Sequence, residues 1–424
     1  MGILPRPDRS SRARTTRAAL LLALLGLAGV WMATTTSRPS LPQPPTPASR
    51  RPAPRTSVAP RAAVAGAMAQ TEPSRRAEPS RRAAAPSQTG FTFLASGDVL
   101  AHRSVQERAR AYGAHSGRRF DFRPMFAAIR PLVSAADLAV CHLETPLSAS
   151  GRHLSGYPRF NVPSQVAAAI RGAGYDACST ASNHAMDQGA RGLAGTLAVL
   201  DRAGLGHAGT ARSPGEARPR ILTVRRARVA VLSYTYGLNG FRLPRGRPWL
   251  VNLLSPARVL ADARAARRAG SQFTVVFLHW GQEYRSAPTP AQRTLARRLL
   301  ADPSVDLLVG HHAHVVQPIR RVNGKWVAFG LGNSLSAQSA ACCPAATQDG
   351  VLLRVTVVAR AGRLVVGKLG YVPTWVEHPS YRILPVTRAL ARRSASPATR
   401  AMLRASLWRT ATAVGPAAHP ATRT

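Results

Sequence analysis

The chain has 424 residues, with 58 Lys and Arg against 18 Asp and Glu, a formal net charge of +40 and only 6% aromatic residues. Such a field draws polyanions, yet no basic stretch interleaves with aromatics as a stacking platform would, which sets specific nucleic-acid binding aside. Four cysteines are too few for a disulfide scaffold, and without C-x-x-C spacing they do not read as a zinc site.

Residues 1–33 place Arg6, Arg9, Arg12, Arg14 and Arg17 ahead of the uncharged apolar run AALLLALLGLAGVWMA, residues 18–33. A basic flank before such a run predicts a signal sequence or signal anchor, with the charged end on the cytoplasmic side. The run is long for a cleaved core and short for a comfortable span, so both fates stay open. Residues 34–88 hold Pro, Ala, Arg, Ser and Thr with almost nothing to bury. They predict a disordered linker between membrane and domain, which would put the domain outside the cell, anchored or secreted.

From Phe91 the pattern changes. FTFLASGD, DLAVCHLETP, YDACSTASNH, VAVLSY, FTVVFLHW and VDLLVGHH are apolar runs whose last residues turn polar. Between them, residues 166–173, 193–203, 257–269 and 291–300 read as helices. Strand–helix alternation with nearly continuous apolar strands predicts an α/β domain over residues 89–380, its sheet largely parallel and covered on both faces. After His314 the pattern shifts to hairpins, with Asn323-Gly324 as the turn between two strand-like runs. Residues 381–424 lose strand character and read as a peripheral helix and tail. Cys141 and Cys178, inside apolar runs, are either buried thiols or one bridge. Cys342 and Cys343 are adjacent, and a bridge between them would be strained.

Chemistry in such sheets sits at the carboxyl ends of the strands, facing one crevice. In order, those ends carry Asp98, Glu144, Asn183 with His184, His279, and the cluster His311, His312 and His314. One Asp or one His after a strand is ordinarily a cap or a surface residue. Five successive ends carrying carboxylate, amide or imidazole point instead to a divalent ion such as Mn, Zn or Fe. The stretch TASNHAMDQG, residues 180–189, adds a His that a turn alone does not require.

The ordered set SGDVLAHR, HLETPLS, SNHAMDQG, HWGQEY, GHHAHVVQP and GLGNS resembles the capsule-synthesis protein CapA family of poly-γ-glutamate production. That family is related to the calcineurin-like metallophosphoesterases. The resemblance covers about residues 91–380 and implies a four-layered αββα sandwich with one or two metals. It implies an exported protein that handles an anionic polymer such as poly-γ-glutamate, either as a metal-dependent hydrolase or as a membrane-tethered accessory to a synthase. By the same resemblance, Asp98 and His314 would hold a first metal and Glu144 would bridge. Asn183, His279 and one imidazole of the terminal cluster, taken as His312, would hold a second. His184 would be the general acid, with Asp187 hydrogen-bonding or capping the next helix. Glu283 and Tyr284 would contact substrate. The phosphoesterase Asp-x-His is broken here, because Leu100 stands at its His position. That leaves His102 as the nearby imidazole for metal or substrate and the first metal position weaker, differently ligated or empty, while GHHAH leaves either His311 or His312 as the partner of His314.

Overall fold

Each apolar run becomes a strand because its alternate side chains bury against different layers. The computed structural model describes residues 90–392 and 394–420, so the expected signal (1–33) and linker (34–88) lie outside the described residues. Six strands carry the polar ends: β1 (Phe91–Val99), β2 (Leu138–Leu143), β3 (Ala177–Ser179), β4 (Ala227–Thr235), β5 (Phe273–His279) and β6 (Leu307–His311). The first sheet runs in the order 382–385, 363–377, 349–360, β1, β2, β3 and 206–208, with a short strand at 333–335 also pairing β1. The second runs 319–322, 325–328, β6, β5, β4 and 220–224.

The four-layered sandwich implied by the resemblance is what these sheets build. Phe91, Phe93, Ala95, Leu138 and Val140 of the first sheet meet Val229, Val231, Phe273, Val275, Phe277, Leu307 and Val309 of the second in one buried layer. The intervening residues point outward. Leu94, Ala139 and Cys141 pack beneath Val105, Val166, Ile170, Leu197 and Leu200 of the helices Arg103–Ala114, Gln165–Ala173 and Gly189–Arg202. On the far side, Leu232, Val276, Leu278 and Leu308 pack beneath Val259, Ala263, Ala296 and Leu299 of Pro256–Arg268 and Pro290–Ala301. Each such Leu, Val or Phe contributes about 1.5–3 kcal/mol by leaving water, and truncating Phe277 to Ala is expected to cost about 3–5 kcal/mol.

Within each sheet the polar-ended strands run parallel, and their register aligns their ends. Asp98 pairs His142, His142 pairs Ser179, Thr235 pairs His279, and His279 pairs His311. The first sheet is more mixed than the expected parallel arrangement, because 349–360 runs antiparallel to β1 and leads into an antiparallel hairpin. Asn323 and Gly324, at φ 50° and 74°, make the predicted turn between strands 319–322 and 325–328. Strand character does not end near residue 380. Arg382–Pro385 pairs with residues 374–377 because Ile383 and Leu384 are buried there. The helix Pro397–Val414 follows, tied to the core by Leu403 and by the Arg409–Asp349 ion pair at 2.7 Å. Cys141 and Cys178 form a disulfide across β2 and β3, while Cys342 and Cys343 are free.

Candidate metal centre

Five elements deliver the site. Asp98 ends β1, and Glu144 and Thr145 follow β2. Asn183 and His184 lie in the turn after β3, His279 ends β5, and His311 ends β6. The GHHAH turn then holds His312 at φ 85° and His314 at φ 55°. Left-handed backbone in non-glycine residues costs of order 1–3 kcal/mol and persists only where its surroundings hold it. Here the backbone N–H of His312 donates to Asp98 Oδ2 at 3.2 Å, and the N–H of Tyr284 donates to Ala313 O at 2.8 Å.

The turn sorts the three imidazoles. His311 stays with the strand, donating through Nδ1 to Asp98 Oδ1 at 2.7 Å, and it stacks on His142. His312 faces the crevice beside His279 and Tyr236, with a buried Nδ1 that has no hydrogen-bond partner. His314 reaches both carboxylates: Nδ1 lies 3.2 Å from Asp98 Oδ2 and Nε2 lies 3.7 Å from Glu144 Oε1. Asn333 sets the orientation of that ring. Its amide nitrogen donates to Gln338 Oε1 and Thr347 O, so its oxygen accepts from His314 Nδ1 at 3.1 Å. Neutral His314 therefore presents an Nε2 lone pair to the crevice.

Asn183 is oriented the same way. Its amide nitrogen donates to Asn239 Oδ1 at 3.2 Å, which turns its oxygen toward His279 Nε2 at 2.9 Å. Glu144 is 1% exposed, and neither of its oxygens has a hydrogen-bond partner. A buried carboxylate without partners is costly unless something cationic offsets it. Donor atoms of Asp98, Glu144 and His314 lie within 4.8 Å of one another, as do those of His142, Glu144 and His279, and of Glu283, His312 and His314. Carboxylate, amide and imidazole around an orphaned Glu144 fit a divalent ion of the Mn, Zn or Fe class.

The electrostatics keep His142, His279 and His312 neutral and leave His314 protonated between the two carboxylates. Burial raises Asp98, but hydrogen bonds from His311 and His314 outweigh it and hold the carboxyl well below its usual range. Burial pushes Glu144 up to about 7, against the pull of His314. His314 is lifted to about 9, since Glu144 and Asp98 overcome the burial that would lower it. Burial keeps His142 and His279 well below the usual histidine range and takes His312 down to about 3.

The structure brings together Asp98, Glu144, Asn183, His279, His311, His312 and His314, with Glu283 and Tyr284 at the edge. Tyr284 tilts over His314 at 6.3 Å between ring centroids, and its hydroxyl accepts from Gln338. His184 sits beside them, with Nδ1 2.8 Å from Asp187 Oδ2. Asp187 hydrogen-bonds His184 and the Phe160 N–H and does not cap the next helix, whose N-cap is Gln188. His102 is outside these groupings: its Nδ1 turns away to the backbone, 3.0 Å from Leu100 O and 3.3 Å from Ala337 N, and bonds one or the other according to its tautomer. Four residues escaped the reading of strand ends: His142, Tyr236, Asn239 and Asn333. A signal existed for His142, a polar residue near the end of an apolar strand and two positions before Glu144. Asn333 lies inside the GLGNS motif. Nothing local marks Tyr236 or Asn239.

The model of the family described as bacterial capsule synthesis protein PGA_cap matches residues 92–338. The PGA biosynthesis protein CapA of Bacillus subtilis is 27% identical over 242 residues, covering 56% of this chain and 61% of the relative. The capsule biosynthesis protein CapA of Bacillus anthracis is 25% identical over 252 residues, covering 57% and 59%. The chain thus spans about three fifths of the length of these curated relatives. Among solved structures, the calcineurin-like phosphoesterase YfkN of Bacillus subtilis is 12% identical with a TM-score of 0.42, covering 76% of this chain and 98% of that one.

Proposed function

The chain belongs to the bacterial capsule synthesis protein family PGA_cap, and from that premise we propose that it is an exported, metal-dependent hydrolase in the making of an anionic glutamate polymer. The observation that carries this reading is Glu144, a fully buried carboxylate with no hydrogen-bond partner, ringed by Asp98, His279 and His314. Asp98, Glu144 and His314 would hold one ion, and Asn183, His279 and His312 a second. Bound there, a divalent ion supplies Lewis-acid polarisation of the scissile group's oxygen.

The chain's own residues do the rest. Asp187 accepts the Nδ1–H of His184, which leaves Nε2 to carry the proton given to a leaving group. Asn239 lies between the two neighbours and its oxygen accepts from the Asn183 amide, which fixes the direction of the Asn183 oxygen. Tyr236 and Tyr284 flank the mouth of the crevice beside His312 and His314. The test is a screen of the purified protein, loaded with Mn²⁺ or Zn²⁺, against phosphoesters and γ-glutamyl peptides. Metal-dependent turnover that Glu144→Gln abolishes supports the reading; no turnover on any substrate class by metal-loaded protein counts against it.

A second reading has its own observation. The loop that brings Asn239 to the site continues through Arg242, Arg245 and Arg247, all exposed and, among the described residues, in no ion pair with an acidic side chain. These cations support a role in binding the polymer at the membrane for its synthase, with or without turnover. Polymer binding that survives metal removal would favour this accessory role.

A further inference from the structure

His142 is fully buried in the layer between the sheets, and the hydrolytic reading gives it nothing to do. Its ring stacks on His311 at 4.1 Å and on His279 at 5.0 Å, so it cannot turn. We propose that His142 is a positioning residue for the metal centre: it accepts the Nδ1–H of His279 and thereby leaves Nε2 of that ring as the ligand atom.

The polarity follows from the far end of a short buried chain. His279 Nδ1 lies 2.9 Å from His142 Nε2, and His142 Nδ1 lies 2.8 Å from Ser179 Oγ. The Ser179 hydroxyl is in turn 3.3 Å from Cys141 O. A backbone carbonyl only accepts, so the hydroxyl donates to it and takes the Nδ1–H of His142 on its lone pair. His142 Nε2 then carries a lone pair and must accept from His279 Nδ1–H. The remaining nitrogen of His279, Nε2, is unprotonated and faces the crevice, 2.9 Å from the Asn183 oxygen. Two acceptors at that distance call for a cation.

The opposite polarity gives up the 3.3 Å bond from the Ser179 hydroxyl to Cys141 O. Ser179 would donate to His142, His142 to His279, and His279 Nε2–H to Asn183 Oδ1. That arrangement puts a proton where an ion needs a lone pair. Both arrangements hold one proton on each ring and one on the hydroxyl, so they differ in ring tautomer and hydroxyl rotation and not in net proton count. The Cys141–Cys178 disulfide, one residue before His142 and Ser179 in register, holds the two strands in the alignment the chain requires. Partners that orient a metal-ligating His typically matter by about 10- to 100-fold in metal affinity.

This inference rests on the metal reading of the site, so its test separates the two. In the Zn²⁺-loaded full chain, long-range ¹H–¹⁵N spectra of the histidines should place the proton on Nδ1 of both His142 and His279. His142→Leu should weaken Zn²⁺ binding by about 10- to 100-fold. His142→Gln, whose amide oxygen can stand near the place of Nε2, should regain most of it. A protonated Nε2 on His279 in the loaded protein, or wild-type affinity in a folded His142→Leu variant, would overturn the inference alone. If that variant fails to fold, the wild-type spectra decide. Wild-type protein that binds neither Zn²⁺ nor Mn²⁺ would remove the metal reading and this inference with it.

Discussion

His184 and Asp187 are joined within a single turn, Nδ1 to Oδ2 at 2.8 Å, with both side chains buried. The carboxylate also accepts the Phe160 N–H at 2.7 Å, and Phe160 packs edge-on against the imidazole. The ring is therefore held from two sides with Nε2 free. This differs from its neighbour Asn183, whose oxygen points to His279.

The two neighbours should fail differently. Asn183→Ala removes an amide oxygen from the proposed second ion and should lower metal content, read by elemental analysis of the purified protein. His184→Ala leaves every proposed ligand in place and should keep the metal. Its turnover should fall by roughly 100- to 10,000-fold, least on substrates with good leaving groups. Loss of metal by both variants alike would make His184 a ligand.

Metal affinity should rise with pH in two stages. Glu144 titrates at about 7 and His314 at about 9, and both must lose a proton to become ligands. Below about 7 both protons compete with the ion, so affinity should climb steeply there. Between about 7 and 9 only the His314 proton competes, and the climb should lessen to at most about tenfold per pH unit. Calorimetric Mn²⁺ titrations from pH 6 to 9 measure this. Affinity that is flat across that range would argue against Glu144 and His314 as ligands.

Poly-γ-glutamate binding should weaken sharply as salt rises, because exposed charges are screened over about 8–10 Å at physiological ionic strength. Replacing Arg242, Arg245 and Arg247 with Ser should reduce that binding and its salt dependence together, with the melting temperature unchanged. Binding insensitive to both salt and the triple change would leave the +40 charge as composition alone.

Removing the disulfide should loosen the domain and the site together. Cys141 and Cys178 are 37 residues apart, and closing a loop of that size is worth roughly 2–4 kcal/mol. The Cys141→Ala/Cys178→Ala protein should lose about that much in urea unfolding. It should also bind Zn²⁺ more weakly, because the same strand alignment pairs His142 with Ser179. Unchanged stability would mean that packing alone holds these strands.

Much of this protein was legible locally. An apolar run that ends in Asp, Glu, Asn or His declares a buried strand and its polar end within about ten residues, and Asn323-Gly324 declares its hairpin. The motif residues Asp98, Glu144, Asn183, His279 and His314 could be assigned to one crevice because parallel strands present their ends on one side. What the sequence could not decide was set by atoms far apart in the chain. His311 and His312 are equivalent as letters; the left-handed backbone at His312 and the contact of His311 with Asp98, 213 residues away, separate them. His142 reads as one polar letter in an apolar strand. Its meaning comes from Ser179, 37 residues on, and His279, 137 residues on. Hydrogen-bond polarity belongs to a chain of donors and acceptors, and only tertiary structure brings such a chain together.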